Sequence, residues 1–491
     1  MNTSQNGPQT TDLPAAAAAA ASTADARPTP SSEVRDPYAL RAQDVAAAPR
    51  TFLQRFRYLG PGLILSAAVV GSGELITTTA LGSKAGFVLL WLVIVSTGVK
   101  VWVQMELAQW AILHGKTALQ GFSEVGPRTG RGGWINFLWI LMDFAKVLQR
   151  GGIIGGAVAC LSIMFPVAGE PLSTPSLWFW TIVVLVAAVT LMLSGRYGIV
   201  ERASLVSVVL FTVITVALAV GLPLTPFGYD GGDLASGLTF ALPAGAIGFA
   251  IAMFGITGVG ADEMTTYTYW CLEKGYARWT GPDDGTEERA RRAEGWIKVM
   301  RLDVLVSWVI CTLCTLSFYV IGAAVLNPQG LVPEGNQMIV TLSRMYSDTL
   351  GTAGYWVFLV GALFVLFSTL VASTASVPRL WSNTLAILGF YRWEDVATRL
   401  RIIRVLTVVM PTIWAASFLV IKSPVLMVQI GGVAGGVFLL AVVVAVWKLR
   451  RSVPRRFRRS AFWTVALTFS SVAVTAVGVY SVLTVVGVEF A

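Results

Sequence analysis

The chain has 491 residues, 55% of them hydrophobic and only 13% charged, about half the charge of a soluble domain. That balance excludes a soluble enzyme and points to a chain solvated by lipid, because apolar runs of bilayer length, roughly 20 residues, recur along it. The net charge of +9 sits in clusters between those runs, as in the cytoplasmic loops of membrane proteins, and calls for no nucleic-acid partner.

Residues 1–50 are rich in Ala, Thr, Ser and Pro. The run Ala15 to Ala21 follows Pro14 and lacks a basic region before it, so it is neither a signal peptide nor a spanning helix. The segment is expected to be a disordered cytoplasmic tail. Eleven apolar segments follow, at 60–82, 86–113, 134–165, 177–193, 203–222, 241–271, 302–325, 355–385, 402–421, 425–447 and 461–486. The expected architecture is an all-α polytopic membrane protein with eleven transmembrane helices. Ten of them form a core over residues 51–448, and residues 449–491 add a basic cytoplasmic loop and the eleventh.

Lys and Arg concentrate in every second loop, at Arg55 and Arg57, Lys116 to Arg131, Arg196 and Arg202, Lys274 to Arg301, Arg392 to Arg404, and Lys448 to Arg459. The other side holds Lys84, Arg344, Lys422 and little else. Short cytoplasmic loops carry this excess, so the N-terminus is expected inside the cell membrane and the C-terminus outside. Cys160, Cys271, Cys311 and Cys314 all lie in apolar segments and form no extracellular disulfide framework. Cys311 and Cys314 read as small packing residues. The single histidine, His114, cannot build a histidine-based zinc or iron centre, and no cofactor is expected.

Two segments are oddly punctuated. The first carries Gly71-Ser72-Gly73-Glu74 at its middle, and the sixth carries Gly255, Gly258 and Gly260 ahead of Asp262 and Glu263. Glycine weakens a helix, so both are candidates for local unwinding. An ion at midspan costs several kcal/mol unless it faces a cavity or a partner. The two segments are five helices apart, and an odd offset inverts the second copy. Glycine-interrupted helices at matching positions of two halves point to a midplane transport site, although the glycines alone are equally explained by close helix packing. In the third segment Asp143 and Lys146 are one turn apart and could neutralise each other, which leaves Arg150 to pair with Glu74 or Asp262. Lys100 and Glu106, in the second, read as bundle-facing structural charges.

These features resemble the Nramp (natural resistance-associated macrophage protein) family of divalent-metal transporters, from Leu59 to about Trp447. Gly60-Pro61-Gly62 followed by Gly71-Ser72-Gly73-Glu74 is similar in spacing to the family's opening GPG turn and Asp-Pro-Gly-Asn break. The run VQMELAQWAILHGKTALQGFSE is similar to its second helix, and GRYGIVE, Gly195 to Glu201, to its turn between the fourth and fifth. The resemblance implies a LeuT-like inverted five-plus-five fold with metal between the first and sixth helices. It places the family's metal-binding Asp on Gly71 and its Asn on Glu74. Aligning its sixth-helix tyrosine with Tyr267 puts its methionine on Asp262, its proline on Glu263 and its histidine on Met264; a slip of one residue puts Glu263 in the site. Its third-helix acid pair falls on Arg150 and Ile153, and its tenth-helix glutamine on Gln429.

Replacing a thioether with a carboxylate favours a hard cation such as Mg²⁺ or Mn²⁺, as in the family's magnesium-transporting branch. Losing the acids and the histidine speaks against proton coupling. The expected function is therefore movement of a divalent cation across the membrane by alternating access. Glu74 and Asp262 would be metal ligands, Glu263 a ligand or a nearby charge, Gly71, Ser72 and Gly260 carbonyl donors, and Gln429 an amide donor; Arg150 and Asp143 would modulate the site. An organic cation or amino acid on the same fold is the alternative, with Tyr267 and Tyr269 as cation–π candidates. A non-transporting membrane sensor is the third reading.

Overall fold

A computed structural model describes residues 36–194, 197–458 and 461–485. The predicted tail as far as residue 35, Gly195 and Arg196 of the predicted turn, Arg459, and Val486 lie outside the described residues. So do the side chains of Ser72, Glu201 and Arg202.

Every predicted apolar segment is mainly helical where described. The first is α1 (Pro61–Val69), a wider π-wound stretch (Val70–Thr78) and α2 (Thr79–Ala85). The second to fifth are α3 (Leu90–His114), α4 (Trp134–Met164), α5 (Thr174–Leu193) and α6 (Tyr197–Gly221). The sixth is split into α7 (Ile247–Ile256) and α8 (Ala261–Lys274). The rest are α9 (Glu287–Ile321), α10 (Met338–Ile387), α11 (Val396–Ile421), α12 (Pro424–Arg450) and α13 (Ala461–Val485). Among the described residues, nine helices are long and apolar enough to cross a membrane. The chain is thus an integral membrane protein. The helix α10 contains a kink at Gly351, whose φ is 66°.

α4 packs against α10 and α12, and α12 in turn against α7. α1 lies against α9 and α10, and α8 against α3. The helices at the periphery, α5 and α11, bury little and expose Phe179, Ile182, Val405 and Ile413, side chains suited to lipid. The first and sixth segments therefore sit inside the bundle.

Both were expected to unwind, and only the sixth does. Thr257 is extended (ψ 151°), Gly258 has φ 70°, and Gly260 is extended again (ψ 175°). A positive φ suits glycine, which lacks a Cβ. The first segment instead stays helical with an extra residue per turn, a winding often found at functional sites. The hydroxyls of Thr78 and Thr79 donate to the carbonyls of Gly73 (3.0 Å) and Glu74 (3.4 Å), which occupies them within the segment.

The start of α1 is fixed from a distance. Asp303 on α9 accepts from the backbone N–H of Gly60 (2.9 Å) and Gly62 (2.5 Å), two of the donors a helix start leaves without intrahelical partners. A Cβ on Gly62 would come within 2.7 Å of the Asp303 carbonyl oxygen, so the contact requires glycine there.

Residues 36–50, expected as part of the tail, lie against the bundle. The Tyr38 hydroxyl donates to Glu273 (2.5 Å), Asp36 accepts from Arg399 (2.5 Å), and Ala46 bonds through its backbone to Trp279 and Trp296. Tyr38 also sits edge-on to Trp393, with ring centroids 5.2 Å apart. The aromatic and charged side chains in this stretch supply these partners.

Candidate functional site

The sixth segment resumes helical winding at Ala261, which puts Asp262 and Glu263 in the first turn of α8. Carboxylates are favoured there because the first N–H groups of a helix carry a partial positive charge. Both line a small cavity of about 40 Å³, together with Lys146, Gln149 and Arg150 of α4, Thr369 and Ser373 of α10, and Thr266 and Trp270 further along α8. Asp143, Lys146 and Arg150 are three and seven residues apart, so they share one face of α4.

Arg150 meets Asp262, one of its two expected partners, but the pairing of Asp143 differs from the expected one. Asp143 pairs with Arg150 (2.7 Å) rather than with Lys146, and Arg150 also reaches Asp262 (2.8 Å). The second oxygen of Asp143 accepts from the Trp381 indole (2.6 Å). Lys146 faces Glu263 at 3.8 Å, too long for a hydrogen bond. The guanidinium plane serves two carboxylates at once, which a single ammonium one turn away does not. The Oδ1 of Asp262 and the Oε2 of Glu263 are buried and have no hydrogen-bond partner.

Glu74 stands apart from this cavity. It is fully buried, and its Oε1 accepts from the Gly258 N–H (3.2 Å) and the Thr315 hydroxyl (2.9 Å). Lys100 is also fully buried and donates to the carbonyls of Phe254 (2.7 Å) and Thr257. These two charges hold the helix break, so Glu74 and Asp262 do not converge on one ion. Among the described residues no group of three or more His, Cys, Asp and Glu side chains is placed to hold a metal.

The remaining predicted donors are scattered. Gly71 packs directly on Thr369, and Gly255 on the Gly432 backbone, so these glycines serve close helix packing. Gly260 lies at the cavity edge beneath the Glu263 carboxylate. Gln429 faces a different, largely apolar groove between α4 and α12, with Leu141 and Val433. The hydroxyls of Tyr267 and Tyr269 are bound to Asp303 (2.8 Å) and Asn383 (2.6 Å), and both rings are fully buried outside the cavity wall. Glu106 is structural as expected, pairing with Arg450 (3.3 Å) and accepting from Trp463 (2.9 Å). Sequence reasoning missed Gln149, Thr369 and Trp270 in the cavity and Asp303 at the turn. Asp303, an acid near the start of an apolar run, carried the one available signal.

A bundle with one centrally broken helix and a buried charged cavity beside the break has the architecture of a membrane carrier. Solved structures agree in fold. A manganese transporter mutant from Eremococcus coleocola superposes with TM-score 0.63 at 13% identity, covering 92% of this chain and 93% of that one. A nucleobase-cation-symport-1 family transporter superposes with TM-score 0.51 at 16% identity, covering 89% and 92%. The fold is thus of the LeuT-like class. Residues 62–484 match the family described as natural resistance-associated macrophage protein-like, and the chain belongs to that family. Its relatives include a divalent metal cation transporter from Caldanaerobacter subterraneus, 24% identical over 66% of this chain and 70% of that protein. An uncharacterized protein of Pasteurella multocida is 25% identical over 61% of this chain. The matched stretch spans 64% of the Pasteurella protein and 26% of a metal transporter homolog from Dictyostelium discoideum. The named relatives are transporters, not enzymes.

Proposed function

We propose that the protein moves a hard divalent cation, Mg²⁺ or Mn²⁺, across the cell membrane by alternating access, without proton coupling and with its N-terminus inside. The observation that carries this reading is the pair of unpartnered carboxylate oxygens, Asp262 Oδ1 and Glu263 Oε2, at one small cavity. A buried acceptor without a partner calls for an ion or a water. The other neutral lining groups that could coordinate are hydroxyls and an amide, and among the described residues no thioether, thiol or imidazole lines the cavity, which favours hard cations. The cargo would meet Asp262 and Glu263, with Gln149 and the hydroxyls of Thr266 and Thr369 as neutral donors. Arg150 sets the selectivity threshold, because a cation must compete with its guanidinium for Asp262. A monovalent ion does so poorly, whereas a divalent one brings twice the charge.

The test is entry of Mn²⁺ and Mg²⁺ into liposomes holding the purified protein, read with trapped fluorescent indicators while internal pH is recorded. Saturable entry without a pH change, lost in Asp262→Asn and reduced in Glu263→Gln, is the expected result. Absence of flux for both metals in folded protein overturns it. A second reading has one observation in its favour. Lys146 is buried without a hydrogen bond, and with Asp262, Glu263 and Trp270 it lines a cavity of both charges, which would suit an amino acid. Stimulation of the protein's own flux by amino acids and not by metals would bring that reading forward.

A further inference from the structure

The peptide unit between Thr257 and Gly258, at the break of the sixth segment, is gripped from both sides by buried charges. Its carbonyl oxygen accepts from the Lys100 ammonium, and its N–H donates to the Glu74 carboxylate. The same ammonium takes the Phe254 carbonyl at 2.7 Å. That carbonyl lies in the last turn of α7, the end of a helix that carries partial negative charge and attracts cations. The Phe254 ring adds its face to the ammonium at 5.1 Å. Glu74 Oε2 is buried and has no hydrogen-bond partner. Backbone carbonyls released by a helix break, at a helix C-terminus, are the donors with which broken-helix carriers hold a coupling cation. Here a side chain of the protein supplies the cation.

We propose that the Lys100 ammonium is a resident cation filling a monovalent-cation site at this break, and that the protein therefore moves its cargo without a coupled Na⁺ or K⁺. The second half rests on the transport reading above; the first does not. Lys100 lies on α3 and the carbonyls on the sixth segment, so the ammonium also ties those elements together permanently. A diffusible ion would tie them only while bound. Deleting the ammonium leaves the carbonyls of Phe254 and Thr257 facing the space it occupied, which a small monovalent cation can enter.

The experiment compares full-length wild type with Lys100→Ala in detergent, melted in sodium, lithium, potassium or choline chloride at equal ionic strength. The expected result is a lower melting temperature for Lys100→Ala in choline, restored by a few degrees, saturably, by at least one of the small cations. Wild type should melt identically in all four salts. Identical behaviour of the variant in every salt overturns the proposal, and so does a sodium- or potassium-specific shift in wild type. Lys100→Gln guards against a variant too unstable to purify. Its amide N–H still donates to one carbonyl while the charge is gone, and it should show the same salt response. The melting readout needs no transport, so failure of the cargo assignment leaves it intact. Conversely, wild-type flux that requires Na⁺ or K⁺ overturns the uncoupled step while leaving the cargo assignment standing.

Discussion

Arg150 lies between two buried carboxylates, 2.7 Å from Asp143 and 2.8 Å from Asp262. Removing one partner from a buried ion network is costly, about 3–5 kcal/mol, because it strands the remaining charge. Arg150→Met is therefore expected to lower the melting temperature markedly. Adding Asp143→Asn to it should recover part of the loss, and strict additivity of the two changes would refute the coupling. Glycines divide just as sharply. Gly255→Ala forces a methyl group into the Gly432 carbonyl, and overpacking of this kind costs about 1–3 kcal/mol or more. Gly98, within α3, has open space where its Cβ would lie. Gly98→Ala should be neutral or stabilising by up to about 1 kcal/mol. Thermal melts of the two variants side by side check both expectations.

The acids of the sixth segment were legible in the sequence as charges that need a cavity or a partner, and the structure gives them both, a cavity wall and the facing bases Arg150 and Lys146. Glu74 was legible as buried but not as a clamp on the break, since its partners, Gly258 and Thr315, are 184 and 241 residues away. Gln429 followed a resemblance in register, and the face of α12 it occupies is set by packing against α4, which the local sequence does not encode.

Elements give a second level. The start of α1 depends on Asp303 of α9, so the first segment is held at its end by a neighbour rather than by a cap of its own. Asp303→Ala leaves the Gly60 and Gly62 N–H groups and the Tyr267 hydroxyl without that acceptor, at about 1–3 kcal/mol for a buried group left unsatisfied. Hydrogen exchange over residues 60–66 is expected to rise while that of α4 stays unchanged; equal protection in both would remove Asp303 from this role. The apolar segments themselves were readable as helices in chain order, because lipid admits only helices that satisfy their own backbone. Winding inside them was not. Glycine weakens α-helix whether the result is a widened turn, as at 70–78, or an extended break, as at 257–260. The choice falls to side chains on other helices, such as Lys100.

For the whole molecule, orientation is the property most directly tested by chemistry. All four native cysteines are buried, so a single added cysteine reports its own side. Arg455 and Arg344 are both exposed and lie on opposite sides in the proposed topology. Arg455→Cys should react with a membrane-impermeant maleimide only after cells are opened, and Arg344→Cys in intact cells. The reverse pattern would invert the topology. In the proposed topology the stretch at 36–50 shares the side of Arg455. It reaches the end of α8 through Glu273, to which Arg379 of α10 also bonds at 2.8 Å. Arg379 in turn lies over the ring of Trp270, a cavity-lining residue, at 5.3 Å.

The contact of Gly255 with Gly432 has a mechanical side. Where two helices meet backbone to backbone, no side chain lies between them to change rotamer, and the pair behaves as a single strut. α7 is then fixed to α12, and movement around the cavity has to be taken up past Gly258. In the proposed transport cycle that makes α8, with Asp262 and Glu263 at its root, the lever arm. Spin labels placed across the α7–α12 seam should keep one distance with and without cargo. Labels joining α12 to the far end of α8 should report two, and a seam distance that changes with cargo would show the strut to be jointed.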